Sequence, residues 1–324
     1  MKKFFLLISI LAYQHISTLC FAQTQNYVQY VNPFIGTGGH GHTFPGATTP
    51  FGMVQLSPDT RIDGSWDGCS GYYYADSIIY GFSHTHLSGT GCSDYGDIAF
   101  LPMFEETMFT YQNDYTYSET YRHENEKAEA GYYKVLLNNS VNVELTSTPR
   151  VGLQKYLFTK TGYAYIILNL LHRDELLEGS IHQISKTHFS GIRRSKAWAE
   201  NQVLFYDFEV SKEPSGINIV KGKNGDEKLF MYFGNVKKGE QILIKTGISA
   251  CDEAGALNNR TSELKDWNFE NVKQQAKNLW NKELGKIEVS NDLTLNPSPS
   301  ERDLKGNEGG LTPSQQERGQ GVRS

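Results

Sequence analysis

Between residues 131 and 250 the chain is a succession of short β-branched and aromatic runs separated by turn residues. The runs are YYKVLLN from Tyr132, VNVELTST from Val141, GLQKYLFT from Gly152, YAYIILNL from Tyr163, IHQISKTHF from Ile181, VLFYDFEVS from Val203, KLFMYFGN from Lys228 and QILIKTGIS from Gln241. Several alternate apolar and polar positions, which turns one face of a strand to a core and the other to water. Asn138 and Asn139 predict a tight hairpin, and KKGEQ from Lys237 predicts another turn. Short strands at regular intervals with turns between them predict an all-β fold, an antiparallel β-sandwich.

The period then changes. Phe269, Val272, Ala276, Leu279, Trp280 and Leu284 recur at spacings of three and four, one apolar stripe of a helix. Asn268 is placed to cap it, Glu270 suits its first turn, and Gly285 ends it. Before the strands, residues 26–104 are loop-rich, with strand candidates MVQLSP from Met53 and DIAFLPM from Asp97. After the helix, residues 293–324 carry no aromatic side chain, and NPSPSER and TPSQQER echo each other. Such a stretch buries too little apolar surface to order itself. It reads as a disordered tail of foreign sequence joined to a truncated reading frame.

The first 22 residues set the compartment. Lys2 and Lys3 precede the apolar run FFLLISILAY, and Cys20 and Ala22 are small residues at the −3 and −1 positions of a cleavage site. The run is too short to span a bilayer. A signal peptide over 1–22 predicts a secreted or periplasmic protein. A lipoprotein anchored through Cys20 is the alternative, against which Leu19 is a poor match. No later segment reads as a membrane span. Cleavage leaves Cys69, Cys92 and Cys251, an odd number, so at least one thiol is free or pairs outside the chain; a Cys69–Cys92 disulfide is open. The formal charge of −5, with acids and bases interspersed, argues against a nucleic-acid face.

Candidate chemistry is concentrated in the first hundred residues. GTGGHGHTFPGATTPFGM from Gly36 carries His40 and His42, and GFSHTHLSGTGCSDYGD from Gly81 carries His84 and His86. Alternate residues of a strand share a face, so two HxH pairs with Asp94, Asp97, Cys69 or Cys92 nearby would make a transition-metal site. The same histidines would equally serve as loop-locking or pocket-lining groups. A phosphate loop fits poorly, because no helix follows the glycines. GCSGY from Gly68 does not match a nucleophile elbow. A sugar pocket fits the residue mix better. Sugars present hydroxyls that need donors and acceptors, and C–H faces that lie on aromatic rings. Trp66, Asp67, the tyrosines at 72–74, His84, His86, Asp94 and Tyr95 supply both, although Trp66 would equally serve as a buried sandwich tryptophan.

Taken together, VNPFIGTGGHGHTFPGATTPFGMVQLSPDT, WDGCSGYYY and IIYGFSHTHLSGTGCSDYGDIAFLPM resemble the N-terminal part of glycoside hydrolase family 92, over about residues 27–290. These are calcium-dependent, inverting exo-α-mannosidases widespread in glycan-degrading Bacteroidetes. The resemblance implies a sandwich of the supersandwich, galactose-mutarotase-like type over 23–260. It implies an interdomain helical linker over 261–290, and then a catalytic (α/α)6 barrel that residues 291–324 do not continue. It further implies a partner in a mannose-containing glycan, contacted by Trp66, Cys69, His84, His86, Asp94, His40 and His42. No catalytic residue, cofactor or metal ligand is expected in this chain; Ca2+ is expected for the full-length enzyme. Inverting hydrolysis needs two carboxyl groups about 6.5–9.5 Å apart across the sugar, and the family places both, with the calcium ligands, in the barrel. The chain is thus expected to be inactive alone and to expose part of the Trp280 helix. A stand-alone mannoside-binding module and half of a split enzyme are the alternatives.

Overall fold

The computed structural model describes residues 26–109, 112 and 116–287. The signal peptide predicted over 1–22 and the tail predicted over 291–324 lie outside these residues. The described residues up to Lys286 form one compact unit.

Strands dominate that unit. A short 3-10 turn (Tyr27–Tyr30) precedes β1 (Ala47–Thr48), β2 (Gln55–Asp59), β3 (Ile78–Ile79), β4 (Gly81–Ser83) and β5 (Ala99–Glu105). Then come β6 (Glu119–Glu129), β7 (Tyr132–Leu137), β8 (Val141–Ser147), β9 (Val151–Phe158), β10 (Gly162–Asn169) and β11 (Glu175–Gln183). β12 (His188–Lys196), β13 (Gln202–Val210), β14 (Gly216–Gly222), β15 (Gly225–Val236) and β16 (Gln241–Ser249) complete them, followed by α1 (Glu253–Glu263) and α2 (Phe269–Leu284).

The expected all-β architecture is present as a single curled sheet. Hydrogen bonding runs unbroken in the order β1-β2-β4-β5-β10-β15-β11-β12-β13-β16-β9-β8-β7-β6-β3, with β14 paired to β15. All pairings are antiparallel except one bridge between β11 and β15, at Gly179 and Gly225. The sheet closes over its own apolar face, so that β1, β2 and β5 lie against β8. Leu56, Phe82, Phe100, Val143, Tyr156, Ile166, Phe208 and Ile244 fill the space between, each wholly buried. Alternate side chains from facing strands interdigitate there, as in any two-layer β core.

Four differences from the sequence expectation have local causes. The run from Ile181 is not one strand but the end of β11, a turn over 184–187 and the start of β12. Ser185 Oγ accepts the N–H groups of Thr187 and His188 at 3.2 and 3.1 Å, and this side-chain turn ends β11 at Gln183. β6 gives no period-2 signal because it lies near the sheet's end, where Tyr121 alone of its residues is buried. β14 pairs with one neighbour and buries none of its residues. α1 carries no apolar stripe; it is built by Asp252, whose side chain caps Gly255 N–H, and by Arg260, which reaches Asp207 and Glu209 on β13.

α2 starts and stops where expected. Asn268 accepts Asn271 N–H at 3.1 Å, and Gly285 is the C-cap. Phe269 and Val272 join Tyr132, Val151, Leu153, Leu243 and Leu264 in a second core on the sheet's outer face. Trp280 is half-buried and donates its indole N–H to Thr48 O at 2.6 Å, while Leu279 is 42% exposed.

Candidate functional site

The loop spanning 36–46, before β1, is held by what it touches. Tyr74 N–H donates to Thr37 O, Ser70 Oγ to Thr43 O, and Gly89 N–H to His42 O, all within 3 Å. It is thereby tied to the β2–β3 loop (60–77) and the β4–β5 loop (84–98). Arg173, between β10 and β11, donates to Cys69 O and, at 2.7 Å, to Ser93 Oγ. Asp94 accepts Ala199 N–H from the β12–β13 loop at 3.0 Å. Five connecting segments therefore meet.

Their meeting point presents Trp66 to solvent, 60% exposed. It is a surface platform, not a sandwich-core tryptophan. The His42 ring stands perpendicular to it, centroids 4.8 Å apart, and is itself buried. His42 Nε2 finds no hydrogen-bond partner. His40, exposed, pairs through Nδ1 with Asp67 Oδ1 at 2.7 Å. One ligand atom each from His40, His42 and Asp67 lie within 4.8 Å of one another.

The other named residues are placed inside. His84 is wholly buried: Nδ1 donates to Ile98 O at 2.7 Å, its ring lies 6.0 Å from Phe100, and burial pushes its pKa down to about 4. His86 is also buried, with Nδ1 on Gln55 O and Nε2 on Asp59 Oδ1 at 3.0 Å. Cys69 is buried, and burial raises its thiol above the ordinary range. Asp94 is buried and spends both oxygens on backbone N–H groups. So the sequence's two HxH pairs part company: His40 and His42 assemble with Asp67 at the surface, while His84 and His86 enter the interior. Cys69, Cys92 and Cys251 are free thiols.

Sequence reasoning missed the polar support beneath. Asp59 is fully buried and accepts His86 Nε2, His172 Nε2 at 2.8 Å and Ser83 Oγ. Burial alone would raise its pKa, but the charges and hydrogen bonds of His86 and His172 outweigh that and hold it well below the usual carboxylate range. Arg193, fully buried on β12, pairs with Asp97 and donates to the carbonyls of Leu170 and Arg173. Asp174, in a left-handed backbone conformation, keeps an unpaired oxygen; burial raises its pKa to about 6 against the pull of Arg173 and Arg193. The polar triplet at 172–174, set between two apolar strands, was the available signal.

Most carboxylates of these loops are engaged. Asp76 holds Arg61, Asp97 holds Arg193 and Asp94 is bonded to backbone, while Asp63 accepts Ser65 N–H with one oxygen, Asp67 stands beside His40 and Asp174 keeps one oxygen unpaired. Calcium has no fitting set among these loops. It takes six to eight oxygens, whereas the His40–His42–Asp67 cluster offers two ring nitrogens and a carboxylate. A cleft of about 400 Å³ beside Arg61 and Asp76 contains none of the seven candidate residues.

Residues 30–249 match the glycosyl hydrolase family 92 N-terminal domain, and residues 255–299 match the catalytic domain of the same family. The second match takes in α2 and all of α1 from Gly255 onward. The fold is similar to that of the family GH92 alpha-mannosidase BT3965 from Bacteroides thetaiotaomicron, with a TM-score of 0.74 and 31% identity over 82% of this chain and 39% of that one. A structure of that mannosidase in complex with mannoimidazole matches equally, at a TM-score of 0.74. The inverting mannosidase BT2199 of Bacteroides thetaiotaomicron VPI-5482 gives a TM-score of 0.70 and 25% identity, over 82% of this chain and 37% of that one. An uncharacterized secreted glycosidase of Arthroderma benhamiae is 24% identical over 81% of this chain and 38% of its own length. The chain thus spans under half the length of these relatives. It belongs to glycosyl hydrolase family 92, whose N-terminal domain it carries over residues 30–249.

Proposed function

We propose that this chain is the glycan-contacting N-terminal part of an exported, inverting α-mannosidase, and that Trp66, His42, His40 and Asp67 form one wall of its mannoside site. The observation that carries the reading is Trp66 itself. An indole 60% exposed, braced by the buried His42 ring and set on the loops that carry the solvent-accessible His40–Asp67 pair, offers an apolar platform beside hydrogen-bonding groups. A pyranose needs that combination, since its C–H face packs on a ring and its hydroxyls seek donors and acceptors at the edge. Cys69, His84, His86 and Asp94 act beneath the wall, by holding the loops. The proton-transfer carboxyls and the calcium belong to the catalytic domain, as the family resemblance implies, and the engagement of Asp76, Asp94 and Asp97 in structural bonds fits that division. A mannosidase relative binds mannoimidazole, and the Arthroderma relative is described as secreted; both favour the reading.

Saturation-transfer NMR with methyl α-mannoside tests the wall. Transfer is expected from the chain and lost in Trp66→Ala; equal transfer from both proteins refutes it. An aryl α-mannoside assayed with calcium, with and without chelator, tests the division of labour. Calcium-dependent turnover by residues 23–324 would overturn it.

A further inference from the structure

We propose that His40, His42 and Asp67 bind a divalent transition metal of the zinc class. This goes beyond the mannoside reading and stands or falls separately from it. Two loops bring the three ligands together, and one donor atom from each lies within 4.8 Å of the others. Tetrahedral zinc with bonds of about 2.0–2.1 Å sets its ligands roughly 3.3 Å apart, so only a small closure is required.

The ligands are already oriented. His42 is 7% exposed, wedged between Trp66 and the Gly91 backbone, and its carbonyl accepts Gly89 N–H at 2.6 Å. Its Nε2 is buried with no partner in the protein. An imidazole nitrogen held that way has lost its water without a replacement bond, which a metal would supply. Asp67 is fixed through its own carbonyl, which accepts Arg61 Nη1 at 2.8 Å and Ser65 Oγ at 3.1 Å. His40 Nδ1 and Asp67 Oδ1 share a proton at 2.7 Å; a metal taking Nδ1 moves that proton to the ring's Nε2, so that the imidazole stays neutral. Two imidazoles and one carboxylate suit zinc, cobalt, nickel, copper or iron and disfavour calcium. Three protein ligands leave a fourth position, and the exposure of His40 opens it to water or to a hydroxyl.

Calorimetric titration of the purified chain with zinc sulfate, and of cobalt chloride followed by its visible absorption, tests the site. One saturable equivalent is expected. His40→Ala and Asp67→Asn, both at solvent-accessible positions, should each weaken it about tenfold or more. Cobalt should quench tryptophan emission, and Trp66→Phe should remove that part of the quench, since the indole lies 4.8 Å from the His42 ring. Melting curves check that each variant folds, and either one alone suffices. Absence of saturable binding at millimolar zinc, or undiminished binding in the folded variants, overturns the proposal.

Discussion

Trp66 and His42 meet ring to ring at 87°, and Gly91 is the residue that lets them do so. A Cβ at Gly91 would lie 2.7 Å from Trp66 Cη2 and 3.4 Å from His42 Cε1. Gly91 also has φ +71°, a conformation that an L side chain adopts at a cost. The geometry of the exposed platform is therefore set by a residue on a different loop.

Gly91→Ala should show this directly. The backbone term costs about 1–2 kcal/mol, and the clash falls on a rigid indole that has solvent to move into. We expect a modest fall in Tm together with a change in Trp66 emission. A fall in Tm with unchanged emission would mean that the indole was not held by Gly91.

The strands were legible where alternation was strong, as at Val141–Ser147, or where β-branched residues were concentrated, as at Gln241–Ser249. They were hidden where both faces are polar, as at Glu119–Glu129. The family was legible because its loop motifs are long. The site was legible only in part. Alternation correctly groups His84 with His86, but it cannot say that the shared side is the interior. Nor could spacing have paired Asp59 with His172, 113 residues apart. Such contacts depend on how a curled sheet brings distant loops together, and a local pattern carries no record of that.

His84 makes acid stability testable. Its pKa is held at about 4 in the fold against an ordinary 6.5. As pH falls through that window the unfolded chain takes up a proton that the fold refuses, so stability drops and then levels off. Asp174, raised to about 6, and Glu119, raised to about 7, run the other way, because their folded carboxyls protonate first. The His84 share must be read as a difference. His84→Asn keeps a donor for Ile98 O and does not titrate. Relative to the parent it should gain stability as pH falls from 6.5 to 4, by up to about 1.4 kcal/mol per pH unit. Parallel stability curves from urea melts would contradict the assignment.

Gly152 on β9 leaves room for the same ring. An added Cβ would stand 2.6 Å from both His84 Cδ2 and Nε2. The site is closed on all sides, so Gly152→Ala should cost about 1–3 kcal/mol by overpacking. In a His84→Ala background the cost should shrink, because the ring it strikes is gone. Equal losses in the two backgrounds, measured by denaturant midpoint, would place the strain elsewhere.

The Arg193–Asp97 pair should matter to the surface it never touches. Both side chains are fully buried. Asp97 also accepts Thr85 Oγ1 at 2.7 Å and Gln202 Nε2, while Arg193 holds the carbonyls of Leu170 and Arg173. Removing one partner leaves a buried charge unpaired, at about 3–5 kcal/mol. Asp97→Ala should therefore lower Tm sharply. Arg193→Met combined with Asp97→Leu should recover part of the loss, since no lone charge remains. The double variant still lacks the bonds that fasten the β4–β5 loop to the Arg173 segment. Gly91 sits on that loop, under Trp66. If the wall depends on this anchoring, the folded double variant loses transfer from methyl α-mannoside while Trp66 stays in place. Retained transfer would mean that the loop holds its shape through the Arg173–Ser93 and Asp94–Ala199 bonds alone.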